Sequence, residues 1–169
     1  MPQITGLSHV GIQVSDIARS LDFYTNTLGF ELMARWETAE PYVQELVGYP
    51  GVTLQVGVLR VPGSTVVLEV LEYQGVERHS VDTRTANPGT AHFCVYVDDL
   101  EALHLCLEKK GVEFVSPVKT PTAGPNKGGR AVYVKDPDGI RIELLQSTRN
   151  LAGIPLATAG AMSAGLGDS

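Results

Sequence analysis

The chain has 169 residues, 43% of them hydrophobic and 19% charged, which excludes wholesale disorder and suits one compact domain or two small ones built alike. With 19 acidic against 13 basic residues the net charge is −6, which argues against a nucleic-acid partner, because such proteins need a basic face. Two cysteines, Cys94 and Cys106, form neither a disulfide framework nor a CxxC pair and read as small buried reduced thiols.

The amino-terminal MPQITGLSHV lacks a basic start followed by an apolar run, so no secretory signal and a cytoplasmic location are expected. Residues 7–14 alternate as a strand, and Asp16 suits the cap of a helix whose apolar stripe includes Leu21, Phe23, Tyr24 and Leu28 before Gly29. Strands are expected over 31–38, 53–61 and 65–73, with Pro62-Gly63 as a turn. Pro41-Tyr-Val-Gln-Glu-Leu-Val, within 37–50, predicts an extra helical turn. The polar stretch 74–90, ending Asn-Pro-Gly, reads as a linker, with 76–90 dividing a first module (1–75) from a second (91–148). A strand over 91–97 precedes Asp99, a second cap, and a helix with Leu100, Leu103 and Leu107 ending at Gly111. Strands over 113–118, 129–135 and 140–146 follow, with Asp136-Pro-Asp-Gly139 as the turn between the last two. Residues 151–167 carry no charge, yet they are mostly small, contain Pro155 and are short for a membrane span. Residues 149–169 therefore read as a flexible or partner-contacting tail, and no membrane partner is expected.

The two halves repeat one another. HVGIQVSDIARSLDFYTNTLGF starts at His9 and HFCVYVDDLEALHLCLEKKGVEF at His92; Val14 and Asp16 match Val97 and Asp99. Near the end of each half, VVLEVLE lies beside IRIELLQ, which sets Glu69 opposite Glu143. Because side chains alternate across a strand, each half projects one His and one Glu from the face opposite its helix. Two imidazoles and two carboxylates form a donor set that suits a divalent cation and leaves positions open in an octahedral shell. Zn, Ni, Co, Mn and Fe(II) all fit that set. A lone strand His or Glu means little; recurrence at matching places is what carries the metal reading.

The motifs His9-Val-Gly-Ile-Gln-Val-Ser-Asp, Ser20-Leu-Asp-Phe-Tyr-Thr-Asn-Thr-Leu-Gly-Phe, Ala91-His92-Phe, Val97-Asp-Asp-Leu and Lys135-Asp-Pro-Asp-Gly-Ile-Arg-Ile-Glu143 resemble those of the vicinal oxygen chelate superfamily. Its members include glyoxalase I, methylmalonyl-CoA epimerase, extradiol dioxygenases, and fosfomycin- and bleomycin-resistance proteins. The resemblance runs from about residue 4 to 146. It implies an α+β fold of two paired βαβββ modules forming a cupped, partly closed sheet around a metal site, and a homodimer. By position, His9, Glu69, His92 and Glu143 match the four metal-ligand positions.

The resemblance further implies a metal-dependent lyase or isomerase of glyoxalase or epimerase type. Such an enzyme chelates vicinal oxygens of a small carbonyl substrate and shifts a proton through an enediolate. Glu143 and Glu69 are the candidate catalytic bases. The alternatives are an extradiol-type ring-cleaving dioxygenase, which a fourth protein ligand would crowd, and a non-enzymatic drug- or metabolite-binding resistance protein, which generally lacks the metal set. No glutathione-binding set is matched, and the stretch 47–52 lacks the second acid of the methylmalonyl-CoA epimerase pattern, Glu45 lying close but off it. Arg141, Tyr96 and Gln13 share strand faces with the ligands and are candidate substrate-binding residues, Arg141 for an anionic oxygen. Trp36 and Tyr42 flank the insertion as a possible pocket lid or as packing, and Lys127-Gly-Gly-Arg130 reads as a closing loop or a solvated turn.

Overall fold

The structure, a computed structural model, describes residues 1–149, so the expected tail lies outside the described residues from position 150 onward. The chain divides into two compact units, the first spanning Met1–Val81 and the second starting at Asp82.

The first unit runs β1 (His9–Gln13), α1 (Ile17–Asp22), β2 (Glu31–Thr38), α2 (Pro41–Val47), β3 (Thr53–Arg60) and β4 (Val67–Gln74). Its sheet has the order β1-β4-β3-β2, with β1 parallel to β4 and the other pairs antiparallel. The second unit runs β5 (His92–Tyr96), α3 (Leu100–Lys109), β6 (Arg130–Lys135) and β7 (Arg141–Gln146), with sheet order β5-β7-β6. The described strands thus form one four-stranded and one three-stranded sheet.

Each helix starts as the sequence requires. Asp16 accepts a hydrogen bond from the Arg19 backbone N–H, and Asp99 accepts one from that of Ala102, both at 3.0 Å. The first helical N–H of each is met by a side chain from the parallel strand's end: Ile17 donates to Glu72 at 2.9 Å and Leu100 donates to Gln146 at 3.1 Å. These bonds tether each helix to its sheet at equivalent places. α1 is shorter than its stripe predicts, because the chain widens into a π-type turn over Phe23–Thr27, where Leu28 donates to the Phe23 carbonyl at 3.1 Å. That turn buries Tyr24 completely and stacks its ring on Phe30. Gly29 and Gly111 then end the helical runs with φ of 76° and 75°.

One face of each sheet is apolar and meets its helix. Ile12, Val14, Leu21, Leu59, Leu68 and Val70 are buried in the first unit; Leu100, Leu107, Val132, Val134, Ile142 and Leu144 are buried in the second. α1 lies so close to β3 that a Cβ on Gly57 would meet Leu21 at 2.8 Å. The opposite face is left for the polar side chains. α2 covers one end of it in the first unit, where Val43 packs with Val52, Leu54, Val56, Leu71 and Tyr73.

Two expectations need correction. The strand predicted over 113–118 is not regular. Its residues pair with β6 at 113–135 and 115–133 and again at 119–131, so two residues are inserted between the pairings. Pro117, which has no N–H to give a ladder, sits in that interruption. The cysteines are free but not buried. Cys94 lies on the polar face of the edge strand β5, and Cys106 lies off the Leu100–Leu107 stripe of α3.

Candidate metal half-sites

The same register builds the same pair in each unit. Across β1 and β4, Gly11 is level with Glu69, so His9 stands two residues along the same face. Across β5 and β7, Cys94 is level with Glu143 and His92 takes the equivalent place. His9 Nε2 lies 3.6 Å from Glu69 Oε2, and His92 Nε2 lies 3.4 Å from Glu143 Oε2. The imidazoles are open to solvent, at 49% and 38% exposure, while the carboxylates are more enclosed at 25% and 20%.

These separations exceed a good N–H···O hydrogen bond of about 2.9 Å. Two donors on one ion, with bonds of about 2.1 Å at tetrahedral or right angles, stand roughly 3.0–3.5 Å apart; the His92–Glu143 pair at 3.4 Å falls within that range and the His9–Glu69 pair at 3.6 Å just beyond it. Imidazole nitrogen with carboxylate oxygen suits a borderline divalent cation. Within either unit no third His, Cys, Asp or Glu among the described residues completes a metal-binding group. Each unit thus presents one His–Glu pair on its polar face.

The surroundings differ between the units. In the second, β6 pairs Tyr133 with Glu143, and the Tyr133 hydroxyl is 3.1 Å from both Glu143 Oε2 and His92 Nε2. Its ring also meets the His92 ring edge to face, with centroids 5.1 Å apart. Burial, and then the Glu143 charge, push the Tyr133 phenol up to about 12. The Cys94 thiol also rises to about 12, because its sulfur is desolvated on the sheet face and faces Glu143, although the residue as a whole stays open to solvent. Both causes disfavour the thiolate form of Cys94.

Arg141 is level with His92, and its buried Nε has no hydrogen-bond partner among the described residues. Tyr96 is level with Leu145 and Gln13 with Leu71, each two residues beyond the position beside the carboxylate on its own strand. Both are exposed. Trp36 and Tyr42 are exposed at 44% and 68%, Trp36 on β2 and Tyr42 in the first turn of α2. The stretch 127–130 is a tied turn: Gly128 and Gly129 donate to the Pro121 and Asn126 carbonyls, and Arg130 pairs with Glu101.

Tyr133 has no place among the sequence-derived candidates. The turn supplied the missing signal. Asp136 accepts hydrogen bonds from Asp138 and Ile140, which fixes the hairpin. Counting outward from it pairs 135 with 141 and therefore 133 with 143.

The order of strands and helices in the two units is that of the vicinal oxygen chelate fold. A family model described as the glyoxalase/bleomycin resistance protein/dioxygenase superfamily matches residues 6–144, and the chain belongs to that superfamily. It is 32% identical over 143 residues to a lactoylglutathione lyase of Escherichia coli, covering 83% of this chain and 91% of the relative. It is 27% identical over 149 residues to a 2-epi-5-epi-valiolone epimerase from an Actinomyces species, covering 86% and 81%. Among solved structures, a glyoxalase family protein from Bacillus cereus superposes with a TM-score of 0.72 at 19% identity, covering 86% of this chain and 96% of that one. That last likeness is one of fold. No helix among the described residues is long and apolar enough to cross a membrane.

Proposed function

We propose that the protein is a metal-dependent lyase or isomerase in which His9, Glu69, His92 and Glu143 hold one divalent cation and a small carbonyl substrate is isomerised by proton transfer. The observation that carries this is the duplicated pair, imidazole and carboxylate 3.6 and 3.4 Å apart at the same register in both units. The names of the lyase and epimerase relatives support the reaction class.

When bound, the cation supplies Lewis acidity, polarising a carbonyl and acidifying the neighbouring C–H. The protein's own side chains do the rest. Glu143 and Glu69 are the carboxylates in place to take a proton from one carbon and return it to the next. Arg141, with an unsatisfied buried Nε, offers a charge-assisted hydrogen bond to an anionic substrate oxygen. Tyr96 and Gln13 line the same faces and contact the remainder of the substrate. The chain acts as a homodimer in the cytoplasm. Support for assembly comes from β1 and β5, the short, exposed edge strands that carry the histidines and call for a covering partner; support for a reducing compartment comes from the two free cysteines.

The test is proton exchange in deuterated water with 2-oxo-aldehyde adducts of thiols, acyl-CoA thioesters and catechols. Solvent deuterium in the product of one of the first two classes, abolished by a chelator and by His92→Ala, is expected. Oxygen-dependent ring opening of a catechol, or tight ligand binding without turnover by a metal-free protein, would overturn the proposal.

A further inference from the structure

We propose that Tyr133 is a positioning residue of the second half-site: its hydroxyl holds the Glu143 carboxylate in place and thereby sets how tightly the site binds a divalent cation. The inference rests on the reading of His92 and Glu143 as metal ligands.

The hydroxyl has one proton to give, and of its two neighbours an ionised carboxylate can only accept. The hydrogen bond at 3.1 Å therefore runs from Tyr133 to Glu143 Oε2. The contact to His92 Nε2, also 3.1 Å, leaves the tyrosine oxygen as acceptor when that nitrogen carries a proton. When Nε2 instead faces a cation, its proton resides on Nδ1 and Tyr133 keeps its bond to the carboxylate. The ring, set edge to face against His92, restrains the imidazole as well. One side chain thus orients both donors of the half-site. It stands on a central ladder position of β6, directly opposite Glu143, so its own placement is fixed by the sheet.

The first unit shows what the half-site lacks without it. The position level with Glu69 on β3 is Val58, which has no hydroxyl to offer. Glu69 and Glu143 are equivalent in register and unequal in support. Partners of metal ligands of this kind typically change metal affinity by about 10–100-fold when removed.

The experiment is competition for Co(II) or Zn(II) between the full-length protein and a chromophoric chelator, with Tyr133→Phe, Val58→Ala and His92→Ala compared with wild type. Tyr133→Phe keeps the ring and should lower cation affinity about 10–100-fold, with a metal-free melting temperature near wild type and a shifted Co(II) visible spectrum. Val58→Ala should leave affinity and spectrum unchanged. If His92→Ala abolishes binding while Tyr133→Phe matches wild type in affinity and spectrum, the role of Tyr133 is overturned. If His92→Ala itself binds like wild type, the metal reading of the half-site fails instead.

Discussion

The two modules share a skeleton and differ in what surrounds their donors. Both carry His and Glu at one register, an Asp cap at the helix start, and a side chain from the parallel strand's end on the first helical N–H. Around Glu69 stand Gly11 and Val58, and Val67 is level with His9. Around Glu143 stand Cys94 and Tyr133, and Arg141 is level with His92. The His–Glu pair recurs, while the hydroxyl hydrogen-bonded to it is found in the second module, where Tyr133 takes the place that Val58 holds in the first. The first spends the same face on an apolar cluster under α2. Duplication therefore yields two carboxylates of equal placement and unequal environment, a means of giving them different duties.

The comparison breaks most visibly at the carboxylates. Glu143→Gln should lower kcat by about 10²–10⁴-fold if that carboxylate moves the proton, with the cation still bound by metal analysis. Equal losses in Glu143→Gln and Glu69→Gln would show that the surroundings do not differentiate them. Arg141→Met should raise KM for an anionic substrate about 10-fold or more, from the loss of a charge-assisted hydrogen bond, and leave a neutral analogue unaffected. A general loss with both would make Arg141 a packing residue.

The tethers give a smaller contrast. Glu72→Ala removes an ionised acceptor that also faces Arg78 at 3.8 Å, whereas Gln146→Ala removes a neutral one. Urea denaturation should show about 1.5–2 kcal/mol lost for the former and about 1 kcal/mol for the latter. The smallest effect lies at Cys94. With its thiol raised to about 12, alkylation by iodoacetamide at pH 8 should be slow, accelerate as pH rises, and quicken in Glu143→Gln, where one cause of the shift is gone.

Much of this was legible in the sequence, because local rules and a repeat spoke together. Alternation placed His9 and His92 on polar faces, Asp16 and Asp99 announced helix starts, and Asp136-Pro-Asp-Gly139 announced a hairpin. The departures have identifiable causes. The widened turn at Phe23–Thr27 depends on burying Tyr24, a tertiary demand that overrides a regular helical stripe. The segment around Pro117 has the apolar content of a strand without the hydrogen-bond donor to continue one. Tyr133 escaped notice because an aromatic in an apolar strand reads as core until the hairpin register is counted. Cys94 escaped for the related reason that its face, not its composition, decides its exposure.

The most direct test is the metal stoichiometry of the purified full-length protein, wild type beside His9→Ala and His92→Ala. The account predicts one divalent cation per chain in wild type and near-complete loss in each variant, since the proposed centre draws its donors from both pairs. Two cations per chain, or two variants that each lose their metal independently of the other half, would contradict a shared centre.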